Sequence, residues 1–475
     1  MLLTFAAGGG LVKGLLGKVT VLVALALVAA GCGARFPRSQ SGTALRGSGS
    51  GNEVSAGDSG GTGTATGDTT PGATGGSSTG GSSSGGSSGG GSTGGGSSAG
   101  SGSGGSAAAP GAVDAGPTTG VTATSIKIGY LLPLTGAAPV PSNFDKGANV
   151  YWNYVNGKGG INGRKVEVVI KDTQSSAQVG KDQAKALIEQ DKVFAIVVLD
   201  RLENQQAIGQ YLDARHVPNI EIQTPANLDK SQTWTFGVTI DHAVQGGLIA
   251  DYFVHVLQAK KVAVVYENTP ALAPGKDAFA KEIAKLGAQV TYSQAIDGNG
   301  NDFSQEALAL SRSGATATWL YMAPTPAAKL ANQADAAGYH PVWFANSISW
   351  AFDLVFTVAP KALAGARAFS PWLPLSDPRT NTYKQAYQSQ TGQTPDDLGI
   401  VGWGVGEIVG AGIQNAGKTI GQNNFRAAMQ SMRYAPDIWA PLSFGPGVRE
   451  GANVVAVLKA GNGHWDLDRD FSSSF

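Results

Sequence analysis

From residue 125 to about residue 340, short apolar runs alternate with stretches of helical periodicity, and this alternation most narrows the folds open to the chain. The run 126–132 is apolar and stops at Pro133, as suits a strand buried on both faces. Phe144, Ala148, Tyr151, Trp152 and Val155 then recur at three-to-four spacing, which marks one face of a helix. A glycine-rich turn over 159–163 leads into a second strand at 165–170, completing a β-α-β unit. The pattern continues with a helix over 176–190, a strand at 194–199, a helix over 204–214 and a strand at 217–222. After a connection through 234–237, a second series follows: helix 245–257, strand 262–266, helix 276–286, strand 316–322 and helix 327–337. Two consecutive runs of this kind predict an α/β protein with two doubly wound, parallel-sheet lobes. The last hundred residues begin no third run.

Ahead of these runs the composition changes abruptly. Residues 33–124 are almost entirely Gly, Ser, Thr and Ala, with too little apolar surface to offset the entropy of ordering, so a disordered linker is expected there. As a random coil of about 90 residues it reaches roughly 50 Å. Residues 1–32 read as an export signal, with Lys13 and Lys18 before an apolar run over 19–30 that is too short to span a bilayer. It ends in Ala29-Ala30-Gly31-Cys32, which resembles the bacterial lipobox and implies a diacylglyceryl anchor on Cys32. Cys32 is the single cysteine, so neither an internal disulfide nor a cysteine metal cluster is available. With formal net charge +0 and 14% charged residues, the chain carries no field to attract nucleic acid.

Several segments of the folded part resemble one family. Ile126-Lys127-Ile128-Gly129 through Pro133-Leu134-Thr135-Gly136, and Gly159-Gly160-Ile161-Asn162-Gly163-Arg164 with the strand after it, are similar to the opening of the leucine/isoleucine/valine-type solute-binding proteins. The likeness extends over roughly 125–470. It implies the type I periplasmic-binding-protein fold: two lobes joined by crossover strands after the linker, lobe 1 approximately 125–239 plus part of 365–440, lobe 2 approximately 240–364 plus the C-terminal segment. It also implies a ligand cleft at the carboxyl ends of the strands, as open parallel sheets favour on general grounds.

Carried over position by position, the resemblance assigns ligand contacts to Thr135 after the first strand, Arg201 and Asn204 after the third, and Gln223 and Thr224 after the fourth. In the second lobe it assigns Asn268, Thr325, Ser347 and Trp350, with a core role for Trp350 equally open. Where amino-acid-binding members place an acidic residue for the ligand's ammonium, this chain reads Asn346-Ser347. A closed cleft without that carboxylate disfavours an α-amino acid. An amide, a carboxylic acid or a polyol-like molecule is expected instead, with Arg201 as partner for an acid if it turns inward.

Other signals lead away from catalysis. His216, His242, His255, His340 and His464 lack ligand spacing, so no metal is expected, nor any cofactor. No nucleophile elbow is present. Gly402, Gly406 and Gly410 lack the strand and ribose-binding acid of a nucleotide site and suit close helix packing better. The expected function is a monomeric, lipid-anchored, extracytoplasmic receptor that delivers a small molecule to an ABC permease. A sensor of the same fold, reporting to a membrane partner, is the alternative.

Overall fold

The computed structural model describes residues 114–136, 143–223, 228, 231–346 and 349–475. The signal segment, Cys32, the linker up to residue 113, Thr224 and Ser347 lie outside the described residues.

The first series comprises β1 (Ser125–Leu132), α1 (Phe144–Gly157), β2 (Lys165–Asp172), α2 (Ala177–Glu189), β3 (Ala195–Val198), α3 (Leu202–Asp213), β4 (Asn219–Glu221) and β5 (Thr235–Ile240). The second comprises α4 (His242–Asp251), β6 (Lys261–Glu267), α5 (Ala273–Lys285), β7 (Gln289–Ile296), α6 (Ser304–Ser313) and β8 (Ala317–Tyr321). It ends with α7 (Pro324–Ala336), β9 (Val342–Ala345), α8 (Val355–Val358) and β10 (Arg367–Ser370). Then follow α9 (Asn381–Thr391), α10 (Asp397–Ala416), α11 (Gln422–Gln430), β11 (Arg433–Tyr434), β12 (Leu442–Ser443), β13 (Glu450–Ala452), β14 (Val455–Ala460) and β15 (Trp465–Ser472).

The strands build two sheets, ordered β11-β12-β13-β5-β4-β3-β1-β2 and β15-β14-β10-β9-β8-β6-β7. Each has a parallel centre; the C-terminal strands add antiparallel pairs at one edge of each. The chain passes between the lobes after β5, after β10 and between β13 and β14. The two-lobed α/β architecture is therefore that expected. Within the 365–440 span, of which part was expected in lobe 1, β10 pairs with β9 and β14 in the second sheet.

Local chemistry sets the element ends. Asp241 caps α4 by accepting from the amides of Ala243 (2.6 Å) and Val244 (3.0 Å), and Asp396 caps α10 by accepting from Gly399 N (2.7 Å). The turn at 159–163 needs its glycine: Gly160 has φ +78°, and a Cβ there would lie 2.0 Å from Arg164 O. In α10, Gly402 lets the helix approach α1 so closely that a Cβ would sit 2.1 Å from Phe144 O, while Gly406 and Gly410 face the Tyr151 ring.

The boundary of the folded part lies earlier than the composition suggested. Residues 114–124, assigned to the linker, are docked against the domain: Pro117 O accepts from Gln422 N (2.8 Å) and Ala115 O from Asn423 N (3.0 Å). These carbonyls satisfy otherwise orphaned amides in the first turn of α11. Within residues 125–340, three elements escaped the sequence pattern. β7 is a half-exposed edge strand with weak alternation, β5 is buried at every position but holds Gly237, and α6 is a short helix after a polar loop.

An interlobe cavity as candidate binding site

The carboxyl ends of β1, β3 and β4 in lobe 1 face those of β6, β8 and β9 in lobe 2 across a cavity of about 520 Å³. Its walls are largely apolar: Phe144, Leu202 and Ile222 with Leu398 of α10 on one side, Met322 and Leu354 on the other. Polar groups gather in three places.

Beneath the lobe 1 wall runs a hydrogen-bonded network. Asp200 accepts from the Thr173 hydroxyl, from Asn204 Nδ2 (3.0 Å) and from Arg201 N (2.7 Å), and burial raises its pKa. Gln223 donates from Nε2 to Asp200 O (2.7 Å) and bonds through its backbone to Gln205. Behind it Glu221 accepts from Asn219 Nδ2 (3.0 Å) and Gln205 Nε2 (3.4 Å); burial pushes its carboxyl up to about 8. Gly209 makes room for it, since a Cβ there would meet Glu221 Oε1 at 1.9 Å.

Between the lobes stands Arg201, which donates from Nε to Glu203 (3.0 Å) and from Nη2 to Glu267 of lobe 2 (3.0 Å). The second oxygen of Glu267 accepts from Ala323 N (2.8 Å). On the lobe 2 wall, His242 Nδ1 is hydrogen-bonded to the Tyr321 hydroxyl, and burial depresses the imidazole to about 4, so it is neutral near pH 7. Tyr321 stacks on Trp319 with ring centroids 4.4 Å apart. Trp319 Nε1 in turn donates to Asn346 Oδ1 (2.9 Å).

Of the residues proposed from sequence, Arg201, Gln223 and Thr325 line this cavity together. Asn204 turns under its loop toward Asp200 and does not reach the wall. Thr135 is held by Asp172, through its amide (3.2 Å) and Oγ1 (2.5 Å), on an exposed loop off the wall. Asn268 borders a smaller polar hollow beside Arg201 and Glu267. Trp350 is core: it is 0% exposed and donates from Nε1 to Leu320 O (2.9 Å), because its ring fills the space behind β8.

The lobe 2 wall nevertheless holds a carboxylate, at a position other than the one read as Asn346-Ser347. Asn346 is indeed an amide, bonded to Trp319 and, through Nδ2, to Gln245 (3.2 Å), but Glu267 brings a carboxylate to the same wall from β6. Glu267, His242 and Tyr321 were missed by sequence reasoning. Glu267 and Tyr321 are the last residues of β6 and β8, the positions the strand-end rule favours; nothing local distinguishes His242.

The chain matches the sequence profile of the family described as "Periplasmic binding protein" over residues 125–464. An "Amino acid binding protein" of Pseudomonas aeruginosa is 26% identical over 204 residues, covering 40% of this chain and 52% of that protein, so the match spans about half of that relative. The "Leu/Ile/Val-binding protein homolog 7" of Brucella melitensis is 24% identical over 319 residues, 58% of this chain and 72% of its own length. Among solved structures, the "Fatty acid ABC transporter substrate-binding protein from Thermomonospora curvata" superposes with TM-score 0.67 at 20% identity, covering 77% of this chain and 96% of that one. With the two-lobed fold, the facing strand ends and a profile match over most of its length, the chain belongs to the periplasmic binding protein family and has its type I fold.

Proposed function

We propose that this protein is the extracytoplasmic receptor of an ABC importer, anchored by lipid on Cys32, and that it closes its lobes on a small solute with an apolar body. The cavity of about 520 Å³ between the lobes carries this reading. Its size suits a ligand of drug-like dimensions or smaller, and each lobe supplies part of the wall, so binding favours closure. Arg201 and Glu267 bridge the lobes beside the cavity and reinforce the closed form. The names of its relatives span amino acids and fatty acids, both of which carry an apolar part that such walls accommodate.

Thermal-shift screening of the protein against amides, acids, amines and amino acids tests this directly. A true ligand at a hundred times its Kd stabilises by about 2.7 kcal/mol. Thr325→Trp, at an exposed position on the cavity wall, is expected to abolish the shift and to abolish uptake of the same radiolabelled solute by cells. Uptake that survives Thr325→Trp rejects the reading. Cys32→Ala is expected to lose acylation; unchanged acylation rejects the anchor.

A further inference from the structure

The cavity's charged groups are already engaged, and one neutral pair is not. Among the described residues lining it, the carboxylates of Asp200, Glu203 and Glu267 face a single guanidinium, Arg201. Both oxygens of Asp200 and of Glu267 accept hydrogen bonds from the protein, and Glu203 spends one oxygen on Arg201. Among the described residues, an ammonium entering the cavity finds the oxygens of Asp200 and Glu267 already accepting, and only the outer, 41% exposed Glu203 keeps an oxygen uncommitted. An anion meets an excess of negative charge around an arginine that holds two acidic partners. An anion therefore loses its hydration without full compensation, and an ammonium, though drawn by the negative charge, exchanges its water for carboxylate oxygens that already serve other donors.

His242 differs. It is 4% exposed, forms part of the cavity wall, and uses Nδ1 on Tyr321; Nε2 has no hydrogen-bond partner among the described residues. A phenol hydroxyl both donates and accepts, so it tolerates either imidazole tautomer. When Tyr321 donates to Nδ1, Nε2 carries the proton and donates to a ligand carbonyl. When Nδ1 donates to Tyr321, Nε2 accepts from a ligand N–H or O–H.

We infer that the cavity selects an uncharged hydrogen-bonding head group, of the amide or alcohol class, on an apolar body, and that His242 Nε2, set by Tyr321, is the atom that reads it. This rests on the cavity being the solute site, as proposed above. His242 is thereby a specificity-determining residue, and the Arg201–Glu267 pair is a clasp between the lobes.

Calorimetry on the full-length protein with two isosteric triads tests the inference: benzamide, benzoate and benzylammonium; hexanamide, hexanoate and hexylammonium. The amide of at least one triad should bind about tenfold more tightly than both charged isosteres, the difference one well-made hydrogen bond against an uncompensated charge supplies. His242→Asn retains a group at the Nδ1 position but removes Nε2, and should lower amide affinity about tenfold. His242→Gln restores an amide near Nε2 and should stay within about threefold of wild type. A residue with a merely structural role would not separate these two variants in this order. Should His242→Asn fail to fold, the wild-type ranking within each triad still decides. Tightest binding of a charged isostere that Thr325→Trp abolishes overturns this inference and leaves the receptor reading standing. Binding of none of the six, or binding indifferent to Thr325→Trp, overturns both.

Discussion

The two walls of the cavity handle polarity in opposite ways. Lobe 1 buries carboxylates, Asp200 and Glu221, and ties each to neighbouring amides and hydroxyls in a network that shapes the loops after β3 and β4. Lobe 2 buries a neutral imidazole and a phenol, backed by Trp319 and Asn346. A carboxylate sealed behind a wall organises the wall, whereas a neutral donor and acceptor on its surface is free to exchange water for a ligand at little cost. The contrast separates groups that build the site from groups that meet its contents.

That contrast has a pH signature of opposite sign in each lobe. Burial raises Glu221 and, at the start of α10, Asp397 to about 8, so the folded chain holds protons that the unfolded chain has released. Their stabilisation is complete below the ordinary carboxylate pKa and is lost as pH rises through about 8. His242, depressed by burial from 6.5 to about 4, contributes stability that is complete above 6.5 and lost as pH falls through about 4. Urea denaturation should therefore show the alkaline limb falling from about pH 4.5 to about 8 and levelling off above, with Glu221→Gln removing a large part of the fall. The acid limb should lose on the order of 2 kcal/mol through His242, and His242→Gln should flatten it. An unchanged alkaline slope in Glu221→Gln would break the comparison.

The clasp comes next in size. Arg201→Met leaves Glu267 buried without its cation, but the arginine side chain keeps 26% exposure, so solvent screening limits the cost to about 1 kcal/mol of closed-state stability. A double-mutant cycle with Glu267→Gln, read as ligand dissociation rate, isolates the pair. Additive effects would remove the clasp from the account. The smallest effects belong to residues off the cavity wall: Thr135→Ala and Asn268→Ala should leave ligand affinity within about twofold, as neither contacts the cavity. A tenfold loss at either position would return that position to the site.

Legibility in the sequence followed local physics. The run Ile126–Leu132 and the helical spacing from Phe144 to Val155 declare themselves because burial of a strand or helix face requires apolar residues at fixed intervals. β7 did not, because one of its faces meets water. In the site, Arg201, Gln223 and Thr325 were reachable because they immediately follow strands or open the next helix. Trp350 stayed open between two roles, since an aromatic in a loop near a strand end reads alike whether it lines a cleft or fills the space behind it.

By itself the sequence determined the two α/β series and the glycine turn at 159–163, which depend on neighbours along the chain. Only the tertiary structure decided that Glu267 of one lobe holds Arg201 of the other, and that Tyr321, 79 residues from His242, fixes its ring. Those pairings depend on crossovers that bring distant strand ends face to face, and burial there sets which groups stay charged; neither leaves a periodic trace in the order of residues.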